Sequence, residues 1–287
     1  MKKNLVLPNL IISASLLTLS GCLSSKSGGD STSSASTSAS LAWNSSAFPL
    51  AVKISTVFDS NETQATIDMG EEWEVVEENF FDFTTTTHNP QHANSDDYRD
   101  SILGIYSLNP WPADFSSQAL AVTQLWGVRS GDVISLTHFD IFLNVEDYAF
   151  YNTGGGAANE YSFQSVMLHE LGHSIGLEHN SSDSDSVMYP YLSSNTVKDL
   201  PQTVDLTDLS ENYGIVNVYN SMTAGITKKK SSALIAALNQ EGILDGVEFN
   251  LTVELDTQDM KCKHYINKTL YEEHNLNNDE LLQSHSH

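Results

Sequence analysis

The chain has 287 residues, 40% of them hydrophobic and 9% aromatic, enough for one good-sized globular domain with appended parts. A formal net charge of −24 excludes a nucleic-acid partner, which a polyanion would repel, and disfavours docking on an anionic membrane by charge alone. Excess acid of this kind keeps a chain soluble.

In chain order, Met1-Lys2-Lys3 is a short basic start, and Leu5 to Leu19 is largely apolar with no acidic residue. That run is too short and interrupted for a membrane span, and residues 1–21 read as a secretory signal peptide. It ends in Leu19-Ser20-Gly21-Cys22, which resembles the lipobox of bacterial lipoproteins. The resemblance implies that Cys22 becomes an acylated N-terminus, making the lipid bilayer a partner. Leu23, where inner-membrane retention would favour aspartate, points to an exported protein anchored in the cell envelope at the outer membrane. Residues 22–40 are a Ser/Thr-rich tether that buries too little apolar surface to fold. With Cys22 so used, Cys262 has no partner in the mature chain, and the fold does not depend on an internal disulfide.

Folded structure is expected over residues 41–216. Phe48–Val57 reads as a strand and Asn61–Asn79 as a helix with Ile67, Trp73 and Val76 buried. Thr84–Asp100 reads as a solvated polar loop. Strands follow at Ser101–Leu108, Leu120–Val128 and Val133–Asn144, separated by Asn109-Pro110, Pro112 and Ser130-Gly131-Asp132. The glycine-rich stretch Asn152–Ala158 leads into a helix beginning near Ser162, and a last helix spans Val204–Tyr213. This order of elements predicts an α+β domain.

The chemistry is concentrated in His169-Glu170-Leu171-Gly172-His173-Ser174-Ile175-Gly176-Leu177-Glu178-His179. Residues four apart on a helix stack one turn above another, so His169 and His173 share a face opposite Leu168, Leu171 and Ile175. Gly176 is placed to end the helix in a left-handed turn that returns His179 as a third ligand. Three neutral imidazoles suit Zn2+, and a catalytic zinc keeps its fourth position open for water. A lone H-E-x-x-H occurs by chance in amphipathic helices, but five fixed positions make a strong signal.

Taken with Val187-Met188-Tyr189-Pro190, this stretch resembles the metzincin metalloproteases, and within them the matrixins. Asp205-Leu206-Thr207-Asp208-Leu209 resembles the family's last helix, and Leu120-Ala121-Val122 and Thr137-His138-Phe139-Asp140 resemble two of its strand motifs. The resemblance implies a metzincin-like catalytic domain: a twisted, mostly parallel small sheet, an active-site helix and a C-terminal helix. It implies one catalytic Zn2+ on His169, His173 and His179, with Glu170 as the catalytic general base of a metalloendopeptidase. Met188 would lie beneath the metal in a Met-turn, and Pro190 would wall the substrate pocket. The substrate would be a protein or peptide, extended beside Leu120–Leu125 as an added strand of a monomeric enzyme. His138 matches one position of a structural zinc site, but Val122 stands where another histidine is expected, and no glycine-rich calcium loop is evident. A second Zn2+ or a structural Ca2+ is therefore left open.

The alternative is a surface lipoprotein that binds a partner and uses zinc structurally, although structural sites usually have four protein ligands. Residues 217–287 form a C-terminal extension of unknown role, an appended unit packed on the domain or engaging a partner. Ser231–Gln240 is helix-like and Val247–Leu255 alternates like a strand.

Overall fold

The computed structural model describes residues 40–74, 79–213, 232–256 and 261–275. Cys22 with its signal, the tether as far as residue 39, Val76, the Lys228–Lys230 run, His285 and His287 lie outside the described residues, while Ser40, expected in the tether, begins the first strand. No described helix is long and apolar enough to cross a membrane.

The sheet grows outward from β6, Val133–Asn144, in both directions. On one side β4 (Leu103–Leu108), β2 (Leu50–Ser55) and β3 (Phe81–Thr86) follow in parallel, with β1 (Ser40–Ala42) pairing in parallel with the start of β6. On the other side β5 (Ala121–Ser130) runs antiparallel to β6, joined to it through Gly131 at φ 63°. This is the mixed α/β, mostly parallel small sheet that the motifs imply. A short parallel pair, β7 (Ala149–Tyr151) and β8 (Glu160–Ser162), stands apart from it.

The helix α1, Ser60–Glu71, crosses from β2 to its parallel neighbour β3. A reciprocal capping box starts it: Asp59 accepts from the backbone of Asn61 and Glu62, and Glu62 accepts from Asp59 N–H. The expected loop from Thr84 is in part a strand. Residues Thr84 to Thr86 complete β3, whose outward positions are exposed, so its polar threonines give no apolar alternation to read.

Alternation along the central strands separates two apolar layers. Ile141 and Leu143 of β6 face the main core, with Leu168 and Leu171 of α2 (Phe163–Ser174). Phe142 and Val122 face the other way, against Tyr98, Tyr106, Trp111 and Phe115. The stretches on either side of β4, carrying Tyr98 before it and Trp111 and Phe115 after it, thus cover the back of the sheet, while the helices α1, α2 and α3 (Thr203–Tyr213) cover the front.

The C-terminal extension continues the same sheet. After α4, Ser232–Gln240, the strand β9, Glu248–Asp256, pairs antiparallel with β5. Beyond it come β10, Lys261–Ile266, and β11, Thr269–Asn275, joined by a tight turn with Asn267 and Lys268 at positive φ. The sequence reading anticipated α4 and β9 but not this final hairpin. Leu234, Leu238, Phe249, Leu251 and Ile266 are buried in the same core as Leu168 and Leu171. Because the core is shared, Phe249→Ala should destabilise the whole chain by about 3–5 kcal/mol, as for other large-to-small core changes. Calorimetry should show one cooperative transition moved to lower temperature; an unshifted main transition would refute a shared core.

Candidate metal centre

The helix α2 begins at Ser162, whose hydroxyl accepts from Ser165 N–H at 3.3 Å, and ends at Ile175. Gly176 follows at φ 87°, and a Cβ there would sit 2.2 Å from the Leu41 carbonyl oxygen of β1. Only glycine meets both demands, and the resulting turn brings His179 back over the helix.

The carbonyls at the end of α2 have no partners inside the helix, so other parts of the chain supply donors. Trp43 Nε1 donates to Ser174 O at 2.8 Å, Tyr213 Oη to Ile175 O at 2.8 Å and Asn212 Nδ2 to Gly176 O at 2.9 Å. Nearly two turns earlier, Trp73 Nε1 donates to Leu168 O at 3.0 Å. Residues preceding β2 and ending α3 therefore fix the turn from which His179 emerges.

The three predicted ligands come together. His169 Nε2 lies 3.0 Å from His179 Nε2 and 3.1 Å from His173 Nε2, and His173 Nε2 lies 3.1 Å from His179 Nε2. His169 Nδ1 lies 2.8 Å from Val187 O, and His173 Nδ1 lies 2.8 Å from Leu177 O. A carbonyl only accepts, so both Nδ1 atoms carry the proton, and both Nε2 atoms present bare lone pairs. Tetrahedral zinc–nitrogen bonds of about 2.0–2.1 Å would set such nitrogens about 3.3 Å apart, within a few tenths of the observed spacing. Burial pulls His169 down to about 4 and His173 to about 3, the latter helped by neighbouring His169, so both are neutral ligands near pH 7. Among the described residues this trio is the one group of three side chains arranged to hold a metal ion.

Glu170, buried against β5, lines the same cleft as the three histidines. Burial pushes its carboxyl up to about 7, opposed by Thr123 Oγ1, which donates to Oε2 at 2.5 Å. Thr123 was not singled out from the sequence, since nothing in a buried strand marks one threonine as the partner of a distant carboxylate.

Met188 is buried under α2, where a Cβ on Gly172 would fall 2.5 Å from its Sδ and 2.9 Å from Trp73. The bare backbone at Gly172 is what admits the methionine so close. Asp205, at the start of α3, holds the turn carrying it: its carboxylate accepts from Ser186 Oγ at 2.5 Å, Val187 N–H at 3.0 Å and Gln202 N–H at 2.8 Å. Asn180 N–H closes the loop onto Met188 O at 2.8 Å. Asp205 is a second residue whose role the sequence did not reveal. Pro190 is buried, and the atoms facing the cleft come from its neighbours Tyr189 and Tyr191. The cleft runs from the three histidines along Leu120, Ala121 and Val166 to Leu192.

His138 does not join the trio. Its Nε2 lies 3.0 Å from Asp140 Oδ2, both residues being buried, and its ring meets Trp126 edge-on at 4.9 Å. Burial lowers His138 to about 4 and raises Asp140 well above the usual carboxylate range, which favours an uncharged pair.

Because Val187 O orients the His169 ring and Asp205 holds Val187, Asp205→Ala should loosen the metal site as well as the fold. The expected loss is about 3 kcal/mol in denaturant unfolding, from buried donors left unpaired, with zinc bound roughly tenfold more weakly. Unchanged zinc affinity in a destabilised variant would confine Asp205 to a purely structural role.

No curated protein matches the chain significantly. A protein-family model for matrixin does match, over residues 46–219, which is more than half of the chain and contains every residue of the histidine centre. The chain belongs to the matrixin family of metallopeptidases.

Proposed function

We propose that this protein is a zinc-dependent metalloendopeptidase whose metal is held by His169, His173 and His179, with Glu170 as general base. The observation that carries the reading is the convergence of three imidazole Nε2 atoms within 3.1 Å beside a buried carboxylate. When bound, zinc supplies a water acidified to near-neutral pKa and an electrophilic centre for the scissile carbonyl. The chain's own residues do the rest. Glu170 accepts the water proton and delivers it to the leaving amine, while Thr123 holds the carboxylate in place through Oε2. The Nδ1 bonds to Val187 and Leu177 keep His169 and His173 in the ligating tautomer. A metal-activated water needs no serine or cysteine nucleophile, so hydrolysis is direct. The three-ligand set favours this reading over a binding module with a structural zinc, which would call for a fourth protein ligand.

Glu170→Ala should keep close to one zinc per chain by metal analysis and lose roughly 10²–10⁴-fold in peptide hydrolysis. Activity at the wild-type level with zinc retained would remove Glu170 from the mechanism. Chelation should abolish activity and added zinc restore it.

We further propose that the protein is exported and anchored in the outer membrane through an acylated Cys22. The support is sequence alone: the basic start, the short apolar run, Leu19-Ser20-Gly21-Cys22 and the polar tether. Labelling with a radioactive fatty acid should mark the wild type and spare Cys22→Ser; equal labelling of both would end the proposal.

A further inference from the structure

β5 is the strand beside the candidate metal centre: Thr123 bonds Glu170, and Leu120 and Ala121 line the cleft. The outer edge of such a strand is where an extended peptide would pair its backbone. In this chain that edge is already paired. β9 lies antiparallel along it, from Glu254 opposite Val122 to Glu248 opposite Val128. Val253, opposite Thr123, forms part of the cleft wall beside the histidines. His264 of β10 sets its ring edge-on to His179, with centroids 5.5 Å apart. Past His173 the space narrows to a separate cavity walled by Leu177, Leu234, Leu251, His264 and Tyr271. The cleft is thus open on the Leu120–Ala121 side of the three histidines and filled by the chain itself on the other.

The filling is built in. β9 is a central strand, bonded to β5 on one edge and β10 on the other, and Phe249 and Leu251 are buried in the main core. Side-chain ties secure the unit. Glu248 accepts from Arg99 at 2.9 Å and Thr137 at 2.7 Å, and Lys268 bridges Asp96 at 2.7 Å and Asp114 at 2.8 Å. Gly131 N–H donates to Asp245 at 3.0 Å, and Gly246 N–H to Arg129 O at 2.9 Å. Lifting β9 away would expose the core and break the ladder together, so a substrate has to be accommodated with β9 in place.

Direction follows from the strand. A peptide lying antiparallel to β5, in the same sense as β9, has its C-terminal part toward Leu120 and its N-terminal part toward Val128. Residues after the scissile bond meet the open cleft; residues before it meet Val253 and His264.

We propose that the C-terminal unit sets where this peptidase cuts: β9 and His264 close the half of the cleft that would hold residues N-terminal to the scissile bond, so cleavage is confined to bonds near a substrate's N-terminus. The inference rests on the peptidase reading and narrows its substrates to peptides with a short N-terminal side.

The test uses the zinc-loaded full chain and fluorogenic peptides that share a scissile pair and C-terminal half, their N-terminal half lengthened residue by residue. kcat/KM is expected to fall by about tenfold or more once the N-terminal side reaches the β9 ladder. His264→Ala should relieve the penalty for the first added residue. Rates that hold or rise with N-terminal length would overturn the proposal, and so would a penalty that follows C-terminal length instead. An unrelieved penalty in His264→Ala would overturn the part given to His264. Failure to cleave any peptide, at a level matching Glu170→Ala, would sink the peptidase reading itself, a result distinct from cleavage without length dependence.

Discussion

Bare imidazole lone pairs aimed at one another inside a buried pocket repel unless a cation lies among them, and the fold is arranged to hold them there. The backbone carbonyls of Val187 and Leu177 take the Nδ1 protons of His169 and His173, which turns both Nε2 atoms inward. Burial then keeps these two rings neutral well below pH 7. A site of this kind is pre-organised for a metal, since the ligating geometry and tautomers are set by the protein.

That geometry depends on where α2 ends. Its last carbonyls are bonded by Trp43, Asn212 and Tyr213, and Gly176 turns the chain against Leu41 of β1. A segment just before the family-matched region and one near its end therefore converge on one helix terminus. Asp205 performs the matching task on the opposite side by gathering the turn that carries Met188. The site is rigid because each loop that supplies a ligand is tied to an element remote in sequence.

The C-terminal extension alters how the centre meets a substrate. The resemblance implied an open edge along Leu120–Leu125, and the structure gives most of that edge to β9. Only Leu120 and Ala121 remain outside the ladder and in the cleft. The strand also solves a stability problem, because an unpaired edge on a long strand such as β5 invites association with other chains. One element thus protects the edge and shapes the cleft.

The sequence by itself determined the elements and the chemistry wherever the signal is local. The spacing of His169, His173 and His179 follows from helix periodicity and one glycine, and β6 was legible to the residue from its alternation and bounding turns. The polar threonines of β3 hid an edge strand, because an exposed strand carries no apolar period. Thr123 and Asp205 were silent because Glu170 lies 47 residues from the first and the Met188 turn 17 to 19 residues from the second, and contact across such separations leaves no local pattern. The position of the extension was hidden for the same reason. Val247–Leu255 reads as a strand in isolation, but which edge a strand joins is decided by the core it completes, and only the tertiary structure shows β9 beside the metal centre.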